Sequence, residues 1–253
     1  MKTLISFSFI GLFLLANCKT LTPPQRLSEQ SGAAVLGLEL KPPVSLLGNK
    51  VPEVLYFIKA DDPEKLLETK SIIHTAKSKD NRFYLFNASP GKYYPVAAFY
   101  KGPPGKTVGG SISSKTSTVS VSYTPGPSDY TTFFSEEIAK KAVIEVFKNK
   151  VVAYGALVVQ MSLELSKASP FQQKISDMIR PGALEVKGTM GTTIDFVKGK
   201  YNYIGSLASW KNEKDTLAKM NASMKKDLQA SEWQTLVVEK PVMAETDGAK
   251  PKK

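Results

Sequence analysis

Apolar and polar residues alternate in short runs through the first half of the chain. Ala34, Leu36, Leu38 and Leu40 alternate with Val35, Gly37 and Glu39 until Pro42-Pro43 stops the run. Segments 53–59 (EVLYFIK), 71–77 (SIIHTAK), 82–87 (RFYLFN), 93–100 (YYPVAAFY) and 117–123 (STVSVSY) repeat the theme. Asp61-Asp62-Pro63, Asp80-Asn81 and Ser89-Pro90-Gly91 separate several of them. Short strands at this spacing predict an antiparallel β-sandwich.

The second half mixes strands with two helices. Segments 142–147 (AVIEVF) and 151–163 (VVAYGALVVQMSL) flank Lys148-Asn149-Lys150, a hairpin loop with Asn149 suited to a left-handed backbone. The longer strand is apolar on both faces, so it belongs at the centre of a sheet, and Gly155 marks a bulge or close crossing. Ser169-Pro170-Phe171-Gln172 then supplies an N-cap, a proline at the first helical position and the Gln of a capping box. Phe171, Ile175, Met178 and Ile179 form one face before Arg180-Pro181-Gly182 ends the helix. Ile194 and Phe196, then Tyr201, Tyr203 and Leu207, predict a hairpin around Lys198-Gly199-Lys200. Asn212 is placed to cap a last helix whose seam is Leu217, Met220, Met224 and Leu228, with Trp233 beyond it as a core plug.

The N-terminus is patterned differently. Lys2 precedes an uncharged apolar run of twelve residues, 4–15 (LISFSFIGLFLL), and Ala16, Asn17 and Cys18 follow. This is the order of a secretory signal, and the run is short of the roughly 20 residues a membrane span requires. Leu15-Ala16-Asn17-Cys18 ends on the only cysteine of the chain. It resembles the lipobox of bacterial lipoproteins, in the relaxed form found in spirochaetes of the Leptospira type; Asn17 stands where Gly, Ala or Ser is usual. The resemblance implies cleavage before Cys18, diacylglycerol on its thiol and acylation of its new amine. It also implies an outer-membrane rather than inner-membrane destination, because Lys19-Thr20-Leu21-Thr22 carries no acid. The expected organisation is a signal peptide (1–17), a flexible tether (18–31), a folded body (32–238) and a disordered basic tail (239–253).

Asn87-Ala88-Ser89-Pro90-Gly91-Lys92-Tyr93 predicts a tight turn, because proline presets one central position and glycine supplies the positive φ of the next. A Pro-Gly-x-Tyr turn after an apolar strand resembles the carboxypeptidase-regulatory-like or prealbumin-like β-sandwich over residues 33–100. The expected fold is therefore mainly β: an antiparallel Ig-like sandwich with two docked α-helices in the C-terminal half.

Composition narrows the chemistry. The 253 residues hold 34 Lys+Arg against 23 Asp+Glu, one His and one Cys, for a net charge of +11. One cysteine makes no internal disulfide, and a single histidine with a single cysteine offers no ordinary zinc set, so no metal or cofactor is expected. The positive excess favours anionic envelope or host ligands. Only Arg26, Arg82 and Arg180 are arginines, which argues against nucleic acid, where the planar guanidinium fork does the reading.

Catalytic patterns are weak. His74 has no Gly-x-Ser-x-Gly elbow to serve, and Ser223-Met224-Lys225-Lys226 matches Ser-x-x-Lys inside an amphipathic helix without a Lys-Thr-Gly partner. Gly105-Lys106-Thr107 lacks the preceding glycine of a phosphate loop, and Gly188-Thr189-Met190-Gly191 reads as a turn. Asp61-Asp62 and Glu136-Glu137 are adjacent acids that diverge if they stand on strands. Tyr93, Tyr94, Tyr100, Tyr201 and Tyr203 either line a sheet face or stack on sugars. The expected function is a non-enzymatic, lipid-anchored binding or scaffolding protein of the cell envelope, held to the membrane through Cys18. One alternative is a surface adhesin whose C-terminal Lys250-Pro251-Lys252-Lys253 engages host plasminogen kringles or sulfated glycans. Another is a periplasmic enzyme acting on glycan or peptide.

Overall fold

The computed structural model describes residues 21–43, 52–68, 71–75, 77–104, 108–113, 118–123, 127–185 and 199–238. Twelve strands lie within them: β1 (Gly32–Lys41), β2 (Val54–Lys59), β3 (Ile72–His74), β4 (Lys77–Lys79), β5 (Arg82–Ala88), β6 (Gly91–Pro104), β7 (Val108–Ser113), β8 (Thr118–Tyr123), β9 (Pro127–Phe134), β10 (Ile144–Val146), β11 (Val151–Ser162) and β12 (Lys200–Lys211). The α-helices among the described residues are α1 (Glu136–Lys141), α2 (Pro170–Ile179) and α3 (Lys214–Asp227).

Ten strands make one sheet in the order β3-β2-β6-β9-β12-β11-β1-β5-β4, with β10 added alongside β6; β7 and β8 form a separate hairpin. The fold is mainly β, as the alternation requires, but the sheet is mixed rather than antiparallel. β1 runs parallel to β11, and β9 parallel to β12. Alternation records which face a residue takes and says nothing about strand direction, so these two pairings had no local signature.

The sheet curls into a half-barrel. Its two ends, β3 and β4, are consecutive in the chain with only residues 75 and 76 between them, so the edges are drawn towards each other. The expected single strand 71–77 is thus divided, with β3 pairing to β2 and β4 to β5. The inner face holds the largest cluster: Leu36, Leu38 and Leu40 of β1 with Phe57 of β2, Phe83 of β5 and Val159 of β11. The outer face is covered in two places. Phe171 and Ile175 of α2 pack with Ile58, Tyr94, Val96 and Phe133. Met220 and Met224 of α3, with Leu228 and Trp233, pack on Ala33, Val35, Tyr84 and Ala153. β1 is buried on both faces, which is why its sequence is apolar almost throughout.

Local chemistry fixes the corners. Asp80 and Asn81 both take positive φ, 47° and 62°, in the two-residue turn joining β4 to β5. Asn149 is left-handed as expected, at φ 56°, but the hairpin expected across Lys148-Asn149-Lys150 does not form, because β10 pairs with β6 while both edges of β11 are taken by β1 and β12. Gly155 has φ +93°, and a Cβ there would stand 2.3 Å from the Lys211 carbonyl oxygen. It lies where Val35↔Ala153 gives way to Gly37↔Ala156, the bulge its sequence position suggested. Ser169 and Gln172 form the predicted capping box of α2. At α3 the cap differs: Glu213 occupies the N-cap with no side-chain capping bond to the helix backbone, and Asn212 lies against the Gly155 bulge instead. Helix α1, capped by Ser135, was not foreseen, and it places Glu136 and Glu137 in its first turn rather than on a strand.

Candidate functional site

A cleft of about 360 Å³ opens between α3 and the sheet. Its floor is Gly37–Leu40 of β1 with Ala156 of β11, where the small residues Gly37 and Ala156 leave space beneath the helix. The Asp80–Arg82 turn and the α3 residues Thr216, Lys219, Met220 and Ser223 form its walls. Its charges are largely committed to neighbours. Glu39 meets Lys211 at 3.4 Å, and Arg82 meets Asp80 at 3.2 Å. Thr216 donates to Glu213 at 3.2 Å.

Behind the cleft wall lies Asp227, whose side chain is 2% exposed at the C-terminal end of α3. Arg82 Nε and Nη2 donate to its Oδ2 at 2.9 and 2.6 Å, and the Tyr84 hydroxyl donates to the same oxygen at 2.5 Å. Lys79 reaches Oδ1 at 3.1 Å. Burial alone would raise the carboxyl's pKa; the bonds from Tyr84, Arg82 and Lys79 outweigh it and hold the group below the usual carboxylate range. Burial, then the bond to Asp227, pushes the Tyr84 phenol well above its ordinary value. A carboxylate held by three residues in this way is a clasp between α3 and the β4–β5 hairpin. Its signal in the sequence was an acid at a helix C-terminus, where the macrodipole disfavours one unless cations surround it.

Residues 21–31, assigned to the tether by sequence, run along the same end of the molecule. Leu21 is buried in the cluster of Met224, Leu228 and Trp233. Trp233 Nε1 donates to the Pro24 carbonyl at 2.7 Å. Asn87, left-handed at φ 54°, accepts from the Leu27 N–H at 2.9 Å and donates to the Gln25 carbonyl at 3.0 Å. The Arg26 N–H donates to the Glu232 carboxylate.

The nominated tyrosines do not form one face. Tyr93 belongs to the inner cluster and Tyr94 to the outer, as neighbours on a strand must. Tyr100 and Tyr201, on the strands either side of Tyr130, stack on its ring at 4.5 and 4.8 Å between centroids, and Tyr203 lies 6.5 Å from it. Tyr130, absent from the sequence-based set, is the centre of the row. These rings spend their faces on one another, and Tyr100 and Tyr203 are buried, which leaves little for a sugar to stack on. Trp233 is fully buried, as a core plug should be.

His74 stands on β3 with its ring edge-on to Tyr56, away from the cleft lining. Ser223 borders the cleft, whereas Lys226 is exposed and outside it. Asp62 caps a single 3-10 turn by accepting from the Glu64 N–H, while Glu136 and Glu137 pair with Lys140 and Lys141. Cys18, Gly105-Lys106-Thr107, Gly188–Gly191 and the tail residues 250–253 lie outside the described residues. Among the described residues no group of three or more His, Cys, Asp or Glu is placed to hold a metal, and no helix is long and apolar enough to cross a membrane. Comparison with protein-family models, curated proteins and solved structures finds no match for the chain.

Proposed function

We propose that the chain is a lipid-anchored lipoprotein of the cell envelope, a non-enzymatic binding or scaffolding module held to the membrane through Cys18. The observation that carries the reading is the sole cysteine placed directly after a twelve-residue apolar run, in Leu15-Ala16-Asn17-Cys18. The body's chemistry supports it: the curl is filled by side chains, and the acids beside its cleft are paired with lysine or arginine. Three acyl chains need no further apolar anchor, since two already hold a protein stably. The absence of an acid in residues 19–22 supports the outer membrane as the destination.

The test is intact mass and detergent partition of native protein beside Cys18→Ala. Native protein is expected to begin at Cys18 with acyl mass and to enter the detergent phase. The variant is expected to retain residues 1–17 and lose the acyl mass. Native protein without acyl mass at Cys18 would end the reading, and fractionation wholly with inner-membrane markers would end the outer-membrane assignment.

A further inference from the structure

We infer that residues 21–31 are a strap that fixes the orientation of the body, setting the basic outer face of α3 against an anionic lipid surface. The inference rests on the lipid anchor proposed at Cys18. If the cysteine is acylated, the free leash ends at Leu21, because Leu21 is held among Met224, Leu228 and Trp233. The strap is then secured four more times, by Trp233 Nε1 on Pro24, by Glu232 on the Arg26 N–H and by both ends of the Asn87 amide. Three residues span at most about 11 Å. That is about the diameter of one helix with its side chains. A fourteen-residue tether would let the body tumble; this leash holds one end of the outer face at the lipid headgroups.

The surface brought there is suited to phosphate. The exposed side of α3 carries Lys214, Lys219, Lys225 and Lys226, with Asp215 as its one exposed acid. On the strap, half-buried Arg26 adds one more positive charge. Beside it Leu27 is 80% exposed, an apolar side chain suited to the headgroup boundary. Exposed Glu29 and Glu232 lie on the strap side and temper the charge. Basic surface and acyl chain are the two signals that together give stable, oriented attachment.

Native acylated protein in vesicles of phosphatidylethanolamine and phosphatidylglycerol tests this, with a fluorophore at Ala222→Cys on the outer face of α3 or, as the remote site, at Asp177→Cys on α2. Headgroup-quencher lipid is expected to quench the 222 label several-fold more than the 177 label. A flexible Gly-Ser insertion of roughly ten residues between Thr20 and Leu21 leaves the strap contacts in place and lengthens only the leash. It is expected to remove most of the contrast. Acylated protein with equal quenching at the two sites, or a contrast untouched by the insertion, overturns the strap orientation alone. Missing acyl mass overturns the lipoprotein reading and the orientation with it.

Discussion

At the residue scale the clearest energetic commitment is the Asp227 carboxylate, which ties the end of α3 to Lys79, Arg82 and Tyr84. Its folded pKa lies below the usual carboxylate value. The stabilisation is therefore complete above the unfolded pKa of about 4 and is lost as pH falls through the lower folded value. Urea midpoints measured between about pH 6 and pH 2 should fall in acid for the native chain. Asp227→Asn should be less stable at neutral pH by about 2 kcal/mol, because it takes the charge-assisted bonds from the partly buried Arg82 and Lys79. Its midpoint should then change less in acid; an identical acid slope in both proteins would show that another group sets it. The cluster's closure is not local: Lys79, Arg82 and Tyr84 share one hairpin, but Arg82 and Asp227 are 145 positions apart. Composition named Arg82 as one of three arginines, while Asp227 was not singled out from the sequence.

At the element scale the helices were the most legible part of the chain. The α2 signature of Ser169, Pro170 and Gln172 is a purely local code, and it is realised in full. Tertiary structure adds a second task for Gln172, whose Nε2 donates to the Phe133 and Gly205 carbonyls at 3.0 and 3.3 Å. It thereby pins α2 to β9 and β12. Ser169→Ala should cost about 1 kcal/mol, the usual worth of an N-cap. Gln172→Ala removes the donor to two strand carbonyls as well and should cost about 2–4 kcal/mol. Equal losses in thermal or urea unfolding would mean the strand contacts contribute nothing. The elements that escaped detection have physical reasons. β9 opens on Pro127 and carries Asp129, both poor strand residues, and it is held between β6 and β12. Helix α1 is six residues long, too short to show a helical period.

At the scale of the whole molecule, a curled sheet with a filled interior buries phenols as well as hydrocarbons. Burial raises Tyr100, Tyr154 and Tyr203 above the ordinary phenol value, Tyr203 to about 12. The folded state therefore favours the protonated phenol. Its advantage is complete below the unfolded pKa of about 10 and is lost as pH rises through the folded values. Alkaline titration should show tyrosinate absorbance lagging in the native chain and then rising together with loss of circular dichroism. Early ionisation of most tyrosines without unfolding would contradict the buried row around Tyr130. The clasp at Asp227 and the strap at Trp233 meet at one end of the molecule, so acid should loosen the strap as well as α3.

The sequence by itself determined what depends on neighbours along the chain: the alternating strands, the Asp80-Asn81 turn, the left-handed Asn149, the Gly155 bulge, the capped α2 and the amphipathic seam of α3. The same local pattern gave Leu217, Met220, Met224, Leu228 and Trp233 as buried. Tertiary structure alone decided the strand directions and order, the division of 71–77 between β3 and β4, the stacking around Tyr130 and the docking of residues 21–31. Side-chain period encodes facing because Cβ direction repeats every two residues in a strand and every 3.6 in a helix. Partners across the sheet leave no such period. Proline and polar residues before Ser31 read as an unstructured tether because their hydrogen bonds go to Asn87, Glu232 and Trp233, residues that only the folded chain brings within reach.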